Sequence, residues 1–439
     1  MGKRKPLPVL LPEGFTDIVP ADEKYWHAVY RKVNGLLADY SFDRADFSPI
    51  EVADTYVRAC GSDDHVERKL VTAKVRGDGT VAFRYQLNPS FMRVYLQHGM
   101  HALPQPVKMF STATTVEQDG KDVKSSVRLG VQTIGDDSEA VDAELIFLGC
   151  RIMENLNLGS FTVRMNTIGD GQCRPAYVRA LREYYRGRGR KMCTKCRGLT
   201  REGILKALEC TQAECREVNE EAPQILDFLD EPCKKHFKSL IEYLDEGQVP
   251  YIIDPYLVRH EDYAARTVFE FALDGTEGKE ASGEEPARLP EASQIVIRGG
   301  RFDRLSDALG GTRNLPAAGW EMDIPALVER MKAKDVQVPE LGGRPKVFLS
   351  QLGEAAKRKS LMLFEDIRKS GIDVRYSLSR DTIKGQLRMA AKYGVRYALI
   401  FGQKEALEGT VIVREMETGI QETIPQEKII DELKKRLKR

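Results

Sequence analysis

The sequence predicts an α+β fold: an antiparallel sheet with flanking helices, a helical insertion, and a small C-terminal α/β domain. Three observations predict it. Strand-type and helix-type segments alternate irregularly up to about residue 170, as in an α+β layer. A charged, cysteine-bearing helical stretch interrupts them at 171–248, after which sheet-type sequence resumes. From about 345 the order is strand, helix, strand, helix, strand, which predicts partly parallel pairing. The expected domains are 1–170 with 249–335, the insertion 171–248, and 343–439.

Each element has a local reason. Residues 22–40 place Tyr25, Val29, Val33, Leu36 and Leu37 on one helical face, and "FDRADFSPIEV" follows as extended chain. "VAFRYQLN" reads as strand and "PSFMRVYLQHGM" as helix. The stretch 106–135 reads as a long hairpin turning at or near Asp119 and Gly120, because glycine adopts φ > 0 cheaply. "SEAVDAELIFLGCRIMENL" is a helix opened by Ser138. In the insertion, "CRPAYVRALREYYRGR" and "PCKKHFKSLIEYLDEG" are helices. "PYIIDPYLV" and "ARTVFEFAL" return to strand, and the Gly-, Glu- and Pro-rich 274–293 reads as a hairpin tip. The last domain takes helices at 353–370 and 381–393, and closes on a basic helix.

The composition is that of a globular protein, with 42% hydrophobic and 30% charged residues and a net charge of +1 among 439 residues. No global field therefore dictates a nucleic-acid or membrane partner. The charge is uneven, since residues 344–439 hold 21 Lys and Arg against 13 Asp and Glu, a surplus of about eight. Arg380, Lys384, Arg388 and Lys392 recur there at helical spacing and are candidates for contact with RNA phosphates, with Tyr376, Tyr393 and Tyr397 as candidate stacking rings. There is no apolar run of membrane-spanning length and no secretory signal, so a cytoplasmic location is expected. Five of eight cysteines fall between 193 and 233, and in a cytosolic chain this argues against disulfides. Cys193, Cys196, Cys210 and Cys215 could supply four thiolates to a structural zinc, at a spacing looser than a standard ribbon.

The segments "LPEGFTDIVP", "RVYLQHGMHALPQPVK", "GDDSEAVDAELI", "NTIGDGQCRPAY", "LVRHEDYAARTVFE", "IRGGRFDRL" and "GVRYALIFG" together resemble the histidyl-tRNA synthetase family of class II aminoacyl-tRNA synthetases. The resemblance runs from Leu11 nearly to the C-terminus. It implies a class II catalytic-type sheet, a helical insertion, an anticodon-binding-like C-terminal domain, and a homodimer whose interface holds the strand around Pro49. In an active member it also implies ATP and magnesium.

Residue by residue, the resemblance is incomplete. The family's arginine for the ATP α-phosphate falls on Glu117, and the glutamate two residues on falls on Asp119. Replacing a cation by an anion about 4 Å from phosphate turns an attraction of about 4 kcal/mol, at an effective dielectric of 20, into a comparable repulsion. Lys121 or Lys124 could substitute. In "GWEMDIPALVERM" the arginine of the family's third motif falls on Ala326, and the pair Glu329–Arg330 comes one helical turn later. The amino-acid pocket keeps Arg84 but has Gln86 and Asn88 for a glutamate and a threonine, and Arg128 and Gln132 for a glutamine and a glutamate. Arg259, Asp262 and Tyr263 survive from the histidine-specific motif; Arg259 would be catalytic if the protein is active, or else paired with an acid such as Glu261. Arg301 survives in "GGRFDRL", as a further cavity residue or as a tie between strands.

These substitutions point to a non-catalytic member of the family, tRNA-binding or regulatory, with another protein as the alternative partner. The competing expectations are an active histidine–tRNA ligase with a divergent site, or a related fold whose cavity takes a different anionic ligand suited to Arg128.

Overall fold

The computed structural model describes residues 9–61, 64–77, 79–199, 203–259, 261–274, 294–339, 345–378 and 382–438. The proposed hairpin tip beyond Asp274, His260 and Arg380 lie outside these residues. The chain forms two compact units, 1–337 and 338–439.

The first unit is organised by an eight-stranded sheet. Its order is Asp43–Arg44, Val107–Asp119, Asp122–Ile134, Ala317–Asp323, Ile295–Arg301, Ala265–Leu273, Phe161–Thr167 and Tyr251–Ile253. The six central strands pair antiparallel, and only the two short outer strands join in parallel. Ala265–Leu273 is buried along nearly its whole length, Glu270 included, because it lies inside the sheet with both faces covered. Helix Glu139–Asn155 covers one face; Ser138 caps it by accepting from Ala140 N at 3.2 Å, and Trp320 donates its indole N–H to Leu145 O at 3.0 Å. Helix Asn88–Gln97 packs on strand Asp122–Ile134 over Gly130. A Cβ at Gly130 would meet Leu87 and Phe91 at 2.8 and 2.9 Å, so the close approach requires glycine there.

The hairpin differs slightly from expectation. Asp119 pairs with Asp122, so Gly120 and Lys121 are the central turn residues, and Gly120 has φ 64°. Glycine therefore stands first in the turn, the position a type II′ turn assigns it. The expected strand through 81–88 also stops early, at Phe83, because Asn88 already begins the next helix.

A separate three-stranded sheet pairs Ile50–Val52 and Thr72–Lys74 with the central strand Thr80–Phe83. The insertion holds helices Arg174–Arg188, Ala213–Glu220 and Glu231–Glu246, with short turns of helix between, around a core that includes Tyr177, Leu181, Tyr185, Ile225 and Leu229.

In the second unit, five strands lie in the order Val374–Tyr376, Val347–Gln351, Tyr397–Phe401, Thr410–Glu415, Gln421–Pro425. The first three pair in parallel and the last two join antiparallel. Helices Glu354–Lys369 and Ile429–Leu437 bury Leu363, Ile367 and Leu433 against that sheet.

Candidate functional site

An open cleft lies on the first unit's sheet. Its walls come from the start of helix Asn88–Gln97, the hairpin strand Asp122–Ile134, the segment 259–264, and the adjoining strands Ile295–Arg301 and Ala317–Asp323. Of the cavity residues expected from sequence, Gln86, Asn88, Arg128 and Tyr263 line it, and Arg259 joins them.

Gln86 is fully engaged. Its amide nitrogen donates to Glu261 Oε1 at 3.4 Å and its oxygen accepts from Tyr263 Oη at 3.1 Å. Burial, then the nearby Glu261 carboxylate, pushes the Tyr263 phenol well above its ordinary pKa, so it remains a hydrogen-bond donor.

Arg128 is the main revision. It does not present a free cation, because its Nη1 lies 3.4 Å from Glu321 Oε2. Burial works against its charge, but Glu321, Glu117 and Asp323 outweigh burial and raise its pKa. Glu321 is itself held in place, its Oε1 accepting from the backbone N–H of Leu87 at 2.7 Å and of Asn88 at 3.3 Å. Sequence comparison counted Glu321 only as part of a mismatched motif. A lone acid in the apolar strand "AAGWEM" was the available signal.

Four expected cavity residues are elsewhere. Arg84 is buried and donates to Thr114 O at 3.3 Å and Phe47 O at 3.4 Å, tying loop to strand. Arg301 is 0% exposed and bound to Asp142 and Asp303 at 2.8 and 3.2 Å, which makes it a tie within the core. Gln132 shares Arg128's face of the strand but lies farther from the hairpin tip, buried, with no partner for either amide atom among the described residues. Glu117 stands outside the cleft wall, 3.7 Å from Lys69 Nζ and opposite Lys124 in the strand register.

Of the third-motif replacements Asp323 reaches the cleft wall, whereas Ala326, Glu329 and Arg330 do not. Asp323 caps helix Ile324–Ala333 by accepting from Ala326 N at 3.0 Å, so Ala326 sits in the first helical turn. Glu329 is exposed, while Arg330 donates to the carbonyls of Leu158 and Asp274, both at 3.1 Å.

Arg259 pairs with Glu270 rather than with Glu261, at 3.4 Å. Glu270 also receives Arg298 Nε at 3.1 Å and Arg164 Nη1 at 3.3 Å, and Arg164 is bound in turn to Asp254. Arg259 Nη2 is buried and has no partner among the described residues. Three arginines, Arg128, Arg259 and Arg298, and three carboxylates, Glu261, Glu321 and Asp323, line the cleft wall together.

In the second unit Lys384, Arg388 and Lys392 lie exposed along helix Ile383–Lys392, whose start is capped by Thr382 Oγ1 accepting from Gly385 N at 3.3 Å. Tyr376 and Tyr393 are accessible. Tyr397 is not, because it faces the sheet core at 5% exposure.

In the insertion, the ligand atoms of Cys193, Cys196, Cys210 and Cys215 lie within 4.8 Å of one another. A second cluster, Asp170, Cys173, Asp230 and Cys233, meets the same distance.

Residues 14–327 match the histidyl-tRNA synthetase family model, and residues 346–436 match the anticodon binding domain model. The chain belongs to the histidyl-tRNA synthetase family. Histidine–tRNA ligase of Dehalococcoides mccartyi is 33% identical over 97% of this chain and 99% of that one. Its counterpart in Desulforamulus reducens is 28% identical over 95% and 97%. The solved apo histidyl-tRNA synthetase of S. aureus shares the fold, with a TM-score of 0.76 at 24% identity over 97% of this chain and 99% of that one. A Bacillus halodurans structure described as an ATP phosphoribosyltransferase regulatory subunit/histidyl-tRNA synthetase has a TM-score of 0.60 at 17% identity, covering 91% of this chain and 99% of that one.

Proposed function

We propose that this histidyl-tRNA synthetase-family protein does not form histidyl adenylate and acts as a tRNA-binding or regulatory subunit. The observation that carries the reading is Glu117. In the sequence match a carboxylate falls where the family has its α-phosphate arginine, and the cation beside it, Lys69, is already paired with it. The cleft wall sets three carboxylates beside its three guanidiniums, which weakens its attraction for a triphosphate. Even half of the change of sign at Glu117, about 4 kcal/mol, is worth about three orders of magnitude in rate. ATP–pyrophosphate exchange with histidine should therefore stay at background in the wild type. Robust exchange there would overturn the reading.

One observation favours an active, divergent ligase. Arg259 keeps a buried guanidinium nitrogen that still needs an acceptor, and a ligand carboxylate or phosphate would satisfy it. The same exchange assay, run beside Glu117→Arg, separates the two readings.

The tRNA partner rests on the anticodon-binding domain and on the stripe of Lys384, Arg388 and Lys392. A phosphate-driven complex must weaken steeply as salt rises. Absence of binding at low salt would favour a protein partner. A second copy of the chain belongs to the same reading, with Ile50 and Phe83 paired across the small sheet at 42% and 39% exposure and Val52 at 62%. Light scattering should give a dimer, and Val52→Lys should shift it toward monomer.

A further inference from the structure

We infer that Cys193, Cys196, Cys210 and Cys215 hold one structural zinc ion that fixes the segment 189–215 of the insertion. The geometry is that of a tetrahedral thiolate site. Zinc–sulfur bonds of about 2.3 Å place neighbouring sulfurs about 3.8 Å apart. Here Cys193 Sγ and Cys210 Sγ are 3.9 Å apart, and all four sulfurs lie within 4.8 Å of one another. None of the four is in a disulfide.

The surroundings suit thiolates. Cys193 N–H points at Cys215 Sγ at 3.2 Å, and Cys196 N–H points at Cys193 Sγ at 3.5 Å. Backbone donors on sulfur are the outer-shell contacts that orient a metal's ligands and stabilise their charge. Four thiolates around Zn²⁺ leave two negative charges, and the sequence supplies cations: Arg188, Arg190, Lys191, Lys195, Arg197 and Lys206 all fall between 186 and 208, where Glu202 is the only acid.

The segment would also gain from a staple. Between helix Arg174–Arg188 and helix Ala213–Glu220, the described chain contains only short helical turns of three or four residues, at Gly189–Lys191, Thr194–Arg197 and Ile204–Ala207. With so little regular hydrogen bonding, packing of Met192, Leu205 and Leu208 into the insertion's core is what otherwise holds the segment, and a metal would add a cross-link to it.

The second cluster is different in kind. Asp170 Oδ1 accepts from the backbone N–H of Gln172 at 2.8 Å and of Cys173 at 3.4 Å, and Asp230 Oδ1 accepts from Cys233 N at 3.0 Å. Asp230 caps helix Glu231–Glu246 and Asp170 holds the turn before helix Arg174–Arg188, so both carboxylates already have backbone donors, although Cys173 Sγ and Cys233 Sγ lie 3.8 Å apart. This cluster serves as an internal control.

The test uses the full chain, purified without chelator and assayed for metal by mass spectrometry, then reconstituted with cobalt. The expected result is one zinc per chain and, with cobalt, the charge-transfer and d–d bands of tetrahedral thiolate ligation. Cys193→Ser/Cys210→Ser should lose the metal, and Cys173→Ser/Cys233→Ser should keep it. Should the first variant fail to fold, thiol titration of the native wild type decides, since zinc must protect four thiols that become reactive on chelation. Metal-free wild type that takes up no cobalt, or metal lost with Cys173 and Cys233 rather than with Cys193 and Cys210, overturns the inference. A Cys193–Cys210 disulfide in protein purified under reducing conditions overturns it too.

Discussion

Two buried ionic clusters share the first unit's sheet and answer their charges differently. At the first, Asp142 accepts from Arg301 at 2.8 Å and Thr267 Oγ1 at 2.5 Å, and lies 2.9 Å from His236 Nε2. Arg301 completes its own set on Asp303 and on the carbonyls of Ser138 and Asp136, at 3.2, 3.2 and 2.8 Å. At the second, Glu270 is shared among Arg164, Arg259 and Arg298, and Arg259 is left with an orphan nitrogen beside the cleft. Both arginines come from segments that carry the family resemblance. The difference is that Arg301 has each guanidinium nitrogen met by protein and so ties the fold together, whereas Arg259 keeps a buried nitrogen that no described residue meets.

The largest expected effect breaks the first cluster. Arg301→Met removes the guanidinium from a site that is 0% exposed, leaving Asp142 only His236 and Thr267 and taking Asp303's ion-pair partner, which should cost about 3–5 kcal/mol in urea unfolding. A loss under about 1 kcal/mol would erase the distinction between the two clusters.

The same cluster sets a pH dependence. Burial opposes ionisation of Asp142, but Arg301, His236 and Thr267 outweigh it and hold the carboxyl below its usual pKa. Its contribution is thus fully present above the unfolded value of about 3.9 and is lost as pH falls through the lower folded value. Asp303 shifts the opposite way, burial outranking Arg301, and offsets part of this. The stability gap between wild type and Asp142→Asn should therefore be constant near neutrality and narrow below about pH 4. A gap unchanged in acid would mean that Asp142 carries no linked proton.

Next comes the pair that balances the cleft. Glu321→Gln removes the partner of Arg128 and weakens the acceptor of two backbone N–H groups, a loss of about 1–3 kcal/mol. A double-mutant cycle with Arg128→Gln should return coupling near 1 kcal/mol or above. Additive losses would show that Arg128 is free to meet an anionic ligand after all.

How far the sequence could be read follows from these same residues. The sheet, the hairpin and the C-terminal unit were legible because they rest on local periodicity, turn chemistry and extended motif matches. The position of Arg128 in the cleft was legible too, but its charge state was not. Asp323 lies opposite Arg128 in the strand register and Glu321 opposite Gly130, nearly two hundred positions away along the chain. Only sheet pairing brings those acids to the arginine. Likewise Arg259 lies two residues from Glu261, yet Glu270, on the neighbouring strand, takes its ion pair. Sequence proximity was a poor guide because the fold brings Glu270 within 3.4 Å of Arg259, while Glu261 accepts from the Gln86 amide.

The smallest stability effect is expected at Arg259, and its size is the point. Arg259→Met removes the unpartnered Nη2 together with one 3.4 Å contact of Nη1 to Glu270, while Glu270 keeps Arg164 and Arg298 at 3.3 and 3.1 Å. The variant relieves crowding among three guanidiniums, so unfolding should move by about 1 kcal/mol or less. Ligand binding should respond far more strongly, because a charge-assisted hydrogen bond to a buried guanidinium contributes about 1.5–3 kcal/mol, or about ten- to a hundredfold in affinity. Calorimetry with histidine and with an imidazole analogue lacking the carboxylate measures this directly. Weakened histidine binding with unchanged stability would place the orphan nitrogen at a ligand site. A loss of several kcal/mol in folding with no change in binding would move Arg259 into the same class as Arg301.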